Sequence, residues 1–219
     1  MNDAPLPLQI DIVSDVVCPW CILGYKQLQV ALERVDGLFD VTLQWHPFEL
    51  NPAMPAEGEE VRAHLARKYG SSRGTGTRER LVTLGKAVGF DFDYFDGMRV
   101  VNTFAAHQLL HWARQFDLET ELKLALFRAY FSERQDVGDA ATLRSIAASV
   151  GLDGAQATAV LEDQRFANAV RSEEAQWIDR EVMAVPAFFF ENSYPIPGAQ
   201  DPDTFERVLR RLHQSKTQA

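Results

Sequence analysis

Two cysteines, Cys18 and Cys21, are the whole cysteine complement of this 219-residue chain, and they stand in one Cys-Pro-Trp-Cys unit. Residues three apart share a helix face, so the two sulfurs can meet. Closing so short a ring removes little entropy from the unfolded chain, which makes a stabilising staple a weak reason for the pair. A structural disulfide framework needs more cysteines, spread over several loops. A zinc centre needs about four ligands, and there is no second Cys pair to complete one. Dithiol–disulfide chemistry is the strong reading. Two cysteines meeting by chance at a helix start is the bland one.

The elements that must position the pair can be read from the pattern. Residues 8–14, Leu-Gln-Ile-Asp-Ile-Val-Ser, predict a strand, and Trp20 to Val35 predict a helix. Leu28, Ala31, Leu32 and Val35 fall on one face of that helix, and Gly37 supplies its stop. Cys18 thus falls where a strand hands over to a helix. Free N–H groups and the helix dipole favour an anion there, and such a site can lower a thiol pKa from about 8.5 to roughly 3.5–7.5. The expectation is a Cys18 thiolate that attacks near neutral pH. Cys21, one turn further in, would resolve the mixed disulfide. Pro19 suits the first helical turn, and Trp20 would lie beside the sulfurs and limit their exposure. Asp11 and Asp15 admit two readings: a buried acid shuttling the proton of the resolving thiol, or strand-end surface groups.

Residues 41–46 alternate, with Val41, Leu43 and Trp45 on one side, which predicts a second strand and a right-handed βαβ unit with parallel strands. Pro47, Pro52 and Pro55 then break the pattern. Helices are expected over 58–69, 78–88, 103–116, 119–132, 140–150 and 155–162, followed by one from about 167 to 181. Val185–Phe190 and Tyr194–Ile196 read as two strands joined by a tight turn, with Asn192 able to take φ > 0. Asp201 and Pro202 mark the start of a last helix whose buried stripe is Phe205, Val208, Leu209 and Leu212. The order is therefore β-α-β, a helical block, then α-β-β-α. The expectation is an α/β fold: residues 1–51 plus 167–219 form one discontinuous sheet domain, and 52–166 form an all-helical insertion.

Composition excludes some partners. Lys and Arg number 22 against 31 Asp and Glu, a net charge of −9. Nucleic acid and anionic membranes both demand clustered positive charge. No stretch approaches the roughly 18 apolar residues of a membrane span. The start of the chain lacks the basic and apolar regions of a secretory signal, so a cytoplasmic location is the expectation.

Taken together, Ser14-Asp-Val-Val-Cys-Pro-Trp-Cys-Ile-Leu-Gly24, Asn102-Thr-Phe-Ala-Ala-His107, Val185-Pro186 and Gly198-Ala-Gln200 resemble the DsbA-like family. They are most similar to its FrnE-like branch, close to the 2-hydroxychromene-2-carboxylate isomerases and kappa-class glutathione transferases. The resemblance implies a thioredoxin fold with a helical insertion and a substrate groove between the two. Pro186, taken alone, is an edge or turn device. The resemblance gives it the place of the cis-Pro packed against the disulfide, with the backbone of Val185 pairing with a bound peptide or with glutathione. It also makes Asn102, His107, Gln200 and Asp201 candidate substrate contacts. The implied activity is thiol–disulfide exchange on a disulfide-bearing protein or small molecule. A cellular reductant would be the partner, with no required cofactor, glutathione as a redox partner, and a monomer or homodimer as the working state. Those glutathione-using relatives generally carry Ser at the first catalytic position, whereas both cysteines are kept here. A glutathione-dependent isomerase or transferase is therefore the alternative reading, and a chaperone-like client-binding module is another.

Two further signals point elsewhere. His107 and His111 stand four apart as in a zinc-protease helix, but Gln108 occupies the place of the general-base Glu. No metal site is expected. Gly70–Thr77 has no Gly-Lys-Ser/Thr ending and predicts a flexible connection between two helices rather than a phosphate cradle.

Overall fold

The computed structural model describes residues 4–69 and 76–218. The expected connection at 70–77 lies mostly outside them. A four-stranded sheet is built from β1 (Leu6–Ser14), β2 (Phe39–Pro47), β5 (Ala187–Phe190) and β6 (Tyr194–Pro197), in the order β2-β1-β5-β6. β1 runs parallel to β2 and antiparallel to β5, and β6 is antiparallel to β5. The helix α1 (Pro19–Arg34) makes the crossover from β1 to β2.

Because β1 is covered on both faces, it carries apolar residues on both. Leu8, Ile10 and Ile12 pack with Phe188 and Phe190 of β5 against α1 and the last helix, α9 (Pro202–Thr217). Val13, Ala187 and Phe189 face the other way, onto Trp177 of α8 (Ala167–Asp179). The register Ile10↔Phe190 and Ile12↔Phe188 keeps the two sets apart. Phe188 meets Phe205 of α9 edge-on, with ring centroids 5.0 Å apart. A Cβ added at Gly24 would lie 3.1 Å from the Phe188 ring, so this glycine lets α1 settle close on the sheet.

Both expected terminators of the C-terminal unit are present. The Asp201 carboxylate accepts from Thr204 N at 2.9 Å and caps α9. The turn between β5 and β6 takes positive φ at Asn192 (58°) and also at Glu191 (53°).

The block between β2 and α8 contains α2 (Val61–Tyr69), α3 (Thr77–Ala87), α4 (Phe104–Ala113), α5 (Glu119–Phe131), α6 (Ala140–Ser149) and α7 (Gly154–Asp163). It also contains a two-stranded ribbon that the sequence reading had placed in helix and loop, β3 (Glu59–Glu60) paired antiparallel with β4 (Arg99–Val100). Local periodicity is blind to a pairing across some forty residues. Gly58 makes the pairing feasible: at φ 66° a Cβ there would stand 2.4 Å from the Val100 carbonyl oxygen. Further along, α4 tightens into a 3₁₀ turn at Arg114–Phe116 and ends on Asp117 with φ 56°. The helical block shares its core with the sheet. Trp45 of β2 lies between Tyr25 of α1 and Phe127 of α5, at centroid distances of 5.0 and 6.3 Å.

Candidate active site

β1 ends at Ser14, and the chain enters α1 at Pro19. Cys18 is the N-cap of that helix, extended at φ −92° and ψ 111°, and Pro19 opens the first turn. Cys18 N–H donates to the Asp15 carbonyl at 3.2 Å and Cys21 N–H to the Cys18 carbonyl at 3.1 Å. The Cys18 thiol is 3% exposed and Cys21 is fully buried. Across from them the Val185–Pro186 peptide bond is cis. The Val185 carbonyl faces Cys18 Sγ at 3.7 Å, and the Pro186 carbonyl accepts from Gly198 N–H at 2.7 Å. Trp20 is half-buried on the outer side of the pair, with the Arg80 guanidinium 5.6 Å from its ring centroid. Strand end, helix start and cis-proline loop thus converge on one sulfur.

The match of the DSBA-like thioredoxin domain model spans residues 9–210, which takes in every one of these elements. The chain belongs to the DSBA-like thioredoxin domain family. Among solved structures, this DSBA-like chain is similar to a probable DsbA oxidoreductase from Streptomyces coelicolor. The two are 28% identical, cover 93% of this chain and 89% of that one, and superpose with a TM-score of 0.87. It shares its fold with 2-hydroxychromene-2-carboxylate isomerase at 14% identity, 96% and 98% coverage and a TM-score of 0.70. The same holds for the cytosolic disulfide reductase DsbM of Pseudomonas aeruginosa with GSH, at 16% identity, 94% and 99% coverage and a TM-score of 0.64.

In this DSBA-like site the electrostatics differ from the expectation drawn from the helix terminus. The Cys18 thiol is held well above its ordinary pKa. Its hydrogen bond with the Cys21 side chain is the largest cause, followed by burial, and the charges of Cys21 and Asp15 add to it. The Cys21 backbone N–H pulls the other way and is outweighed. The helix start does supply its N–H, but a buried neighbour thiol and a nearby carboxylate decide the sign.

Both aspartates are buried, which corrects the surface reading, and they part company. Asp15 belongs to the cysteine loop: Oδ2 accepts from Leu50 N–H at 2.8 Å, and Oδ1 stands 3.4 Å from His107 Nε2. Asp11 lies on the α8 face of the sheet and pairs with His46 Nε2 at 2.8 Å. His46 Nδ1 meets Glu173 of α8 at 2.6 Å, and Glu173 in turn holds Arg114 at 2.8 Å. Arg114 also binds Glu119 and the Trp45 carbonyl. Burial alone would push the His46 pKa down, but hydrogen bonds to Asp11 and Glu173 raise it. Burial would raise Glu173, but His111, His46 and Arg114 bring it well below the usual carboxylate range.

The remaining predicted residues divide. His107 is 2% exposed and lies behind the cysteine pair, facing Asp15. Asn102 is engaged within the chain at both ends of its amide: Nδ2 donates to the Met54 carbonyl and Oδ1 accepts from Phe104 N–H, each at 3.0 Å, so it braces the start of α4. Gln200 donates to the Pro197 carbonyl at 2.7 Å, on the turn that supports Pro186, and Asp201 is occupied as a cap. Among the described residues no group of three or more His, Cys, Asp or Glu is placed to hold a metal ion. No described helix is long and apolar enough to cross a membrane.

Sequence reasoning missed Lys123 and Tyr94. Lys123 of α5 is 1% exposed, and burial pulls its pKa down to about 8. The signal was available: Lys123 follows Leu122 and precedes Phe127 by one turn, inside the apolar stripe of α5. Tyr94 has a buried hydroxyl without a hydrogen-bond partner, and burial pushes its pKa up against the nearby charge of Arg78.

Proposed function

We propose that this chain is a cytoplasmic thiol–disulfide oxidoreductase, with disulfide isomerase capacity, that works through the Cys18–Cys21 dithiol. The observation that carries the reading is the placement of Cys18 at the start of α1, opposite the cis Val185–Pro186 bond, with Cys21 buried one turn behind it. Cys18 attacks a substrate disulfide, and one substrate sulfur leaves as a thiol. Cys21 then attacks Cys18 of the mixed disulfide, releases the second substrate thiol and closes the Cys18–Cys21 bond. The dithiol loses two electrons and the substrate disulfide gains them.

Pro186 and Val185 shape one wall of the groove in this proposal, and Trp20 the rim. Residues 1–51 with 167–219 act as the thioredoxin-like unit, and 52–166 as the cover over it. Gln200 lies close to the cis-proline loop and is retained as a contact for a glutathione-class partner, a role supported by the GSH held in the DsbM structure. The raised Cys18 pKa favours electron flow from protein to substrate. Strong oxidants of this superfamily owe their potential to a stabilised reduced form, and burial, Cys21 and Asp15 oppose that stabilisation here. A potential nearer roughly −270 mV than roughly −120 mV is expected.

Cys18→Ser should abolish disulfide reductase activity, and Cys21→Ser should trap mixed disulfides visible on a non-reducing gel. Full activity in Cys18→Ser would sink the assignment. Full activity in Cys21→Ser, with a glutathione adduct on Cys18, would replace it by glutathione-dependent chemistry.

A further inference from the structure

Charge is unevenly placed around the dithiol. The helices α2 and α3 carry six Lys and Arg and one acidic residue, whereas the rest of the chain carries 16 against 30. Arg62 and Arg67 of α2 are paired with Asp96 and Glu59. Arg80 of α3 has no such pair. Its guanidinium lies 5.6 Å from the centroid of the Trp20 ring, and among the described residues no atom accepts a hydrogen bond from it. A guanidinium held on a ring keeps its fork of N–H donors open to a planar carboxylate. Helix stability does not explain the residue, since the dipole disfavours a cation in the first turn of a helix. Arg80 is exposed, but the turn that carries it is anchored: Leu81 is 3% exposed in the core. Further along α3, a Cβ added at Gly85 would stand 2.5 Å from the Phe90 carbonyl oxygen, so the helix sits tightly on the chain that follows it. Trp20 is two residues from Cys18, which puts their Cα atoms within about 7 Å of each other. Arg80 therefore stands over the rim of the cysteine pair.

We propose that Arg80 is a specificity-determining residue that binds a carboxylate beside the disulfide of an acidic polypeptide substrate. The proposal deepens the dithiol reading above and rests on it. The substrate chain lies between the Val185 carbonyl, which faces Cys18 Sγ at 3.7 Å, and the Trp20 rim. An Asp or Glu next to the substrate cysteine reaches across Trp20 and accepts two parallel N–H bonds from the guanidinium. Cys18 Sγ then bonds to the substrate sulfur. The substrate S–S bond breaks with its electron pair on the other sulfur, which takes up a proton. Arg80 orients this attack and exchanges neither proton nor electron. A chain of net charge −9 repels acidic partners at long range. Salt screens that repulsion beyond a Debye length of about 8 Å, so the local cation at the rim selects which acidic chains dock.

The test is stopped-flow reaction of the reduced protein with two short synthetic peptides. Each has one Cys capped as the thiopyridyl disulfide and flanked on both sides by Glu or by Gln. Attack of Cys18 on the peptide sulfur releases chromophoric thiopyridone. In wild type the Glu peptide should react about fivefold faster than the Gln peptide, the upper end for an exposed charge pair, and the ratio should shrink as salt rises. In Arg80→Gln the ratio should fall to about one. Should that variant fail to fold, Arg80→Met serves, since its unbranched stem still covers Trp20. Arg211→Gln removes an equal charge from an exposed site on α9 and should leave the ratio in place. An unchanged ratio in the Arg80 variants overturns the proposal, as does an equal fall in Arg211→Gln, which would make it an effect of net charge. An Arg80 effect on glutathionyl pyridyl disulfide with none on the Glu peptide overturns the polypeptide assignment. Absence of thiopyridone release from wild type with either peptide, or its survival in Cys18→Ser, overturns the dithiol reading instead.

Discussion

His46 is the group through which pH should reach the stability of the fold. Its ring bridges Asp11 of β1 and Glu173 of α8 at 2.8 and 2.6 Å, with side-chain exposures of 8, 10 and 15%. In His46→Gln, Glu173 keeps Arg114 at 2.8 Å, whereas Asp11 keeps only the Gln9 amide at 3.2 Å. Leaving one buried carboxylate without its charged partner costs about 3 kcal/mol, the lower end for a broken buried pair. For a chain of this size each kcal/mol lowers Tm by about 2–4 °C, so a loss of about 6–12 °C is expected. The folded-state pKa of His46 is raised above its unfolded value. Its contribution is therefore complete below about pH 6.5 and is lost as pH rises through the folded pKa. Thermal unfolding followed by circular dichroism at pH 6 and pH 9 checks this. The gap between wild type and His46→Gln should be wide at pH 6 and shrink at pH 9. Glu173, held below its ordinary range, adds stability that is lost as pH falls below the carboxylate range. An equal gap at both pH values, or none at pH 6, would refute the ion-pair reasoning.

Two further outcomes follow from the packing. Asp201→Ala removes a cap hydrogen bond of 2.9 Å and should cost about 1 kcal/mol; calorimetry with glutathione titration checks it, and lost glutathione affinity at unchanged Tm would instead make Asp201 a ligand contact. Phe188→Ala empties a fully buried site between α1 and α9 and should cost about 3–5 kcal/mol in urea unfolding; a cost below about 1 kcal/mol would mean the sheet does not pack as described.

Much of the fold was legible because its signals are local. The alternation over Val41–Trp45 and the Asp201-Pro202 helix start both depend on neighbours within one turn or strand. The position of the Cys-Pro-Trp-Cys unit at the start of α1 was legible for the same reason, and the dithiol chemistry proposed for it rests on that local spacing. The β3–β4 ribbon was not legible, since each strand is two residues long and its partner lies some forty positions away. The sign of the Cys18 shift was also hidden, because the helix terminus is a local signal and the outweighing groups are a buried thiol and carboxylate.

The sequence by itself determined the frame around the proposed chemistry: two cysteines at a strand-to-helix junction, a proline before a Phe-rich strand, and a capped last helix. Tertiary structure alone decided what surrounds those sulfurs. Asp11 and Asp15 are four apart in sequence, yet one serves a structural imidazole and the other faces His107 beside the cysteines. Lys123, more than a hundred residues from Cys21, reaches the same buried loop. Burial and long-range electrostatics depend on which side chains the folded chain brings together, and the spacing of residues along the chain carries no record of that.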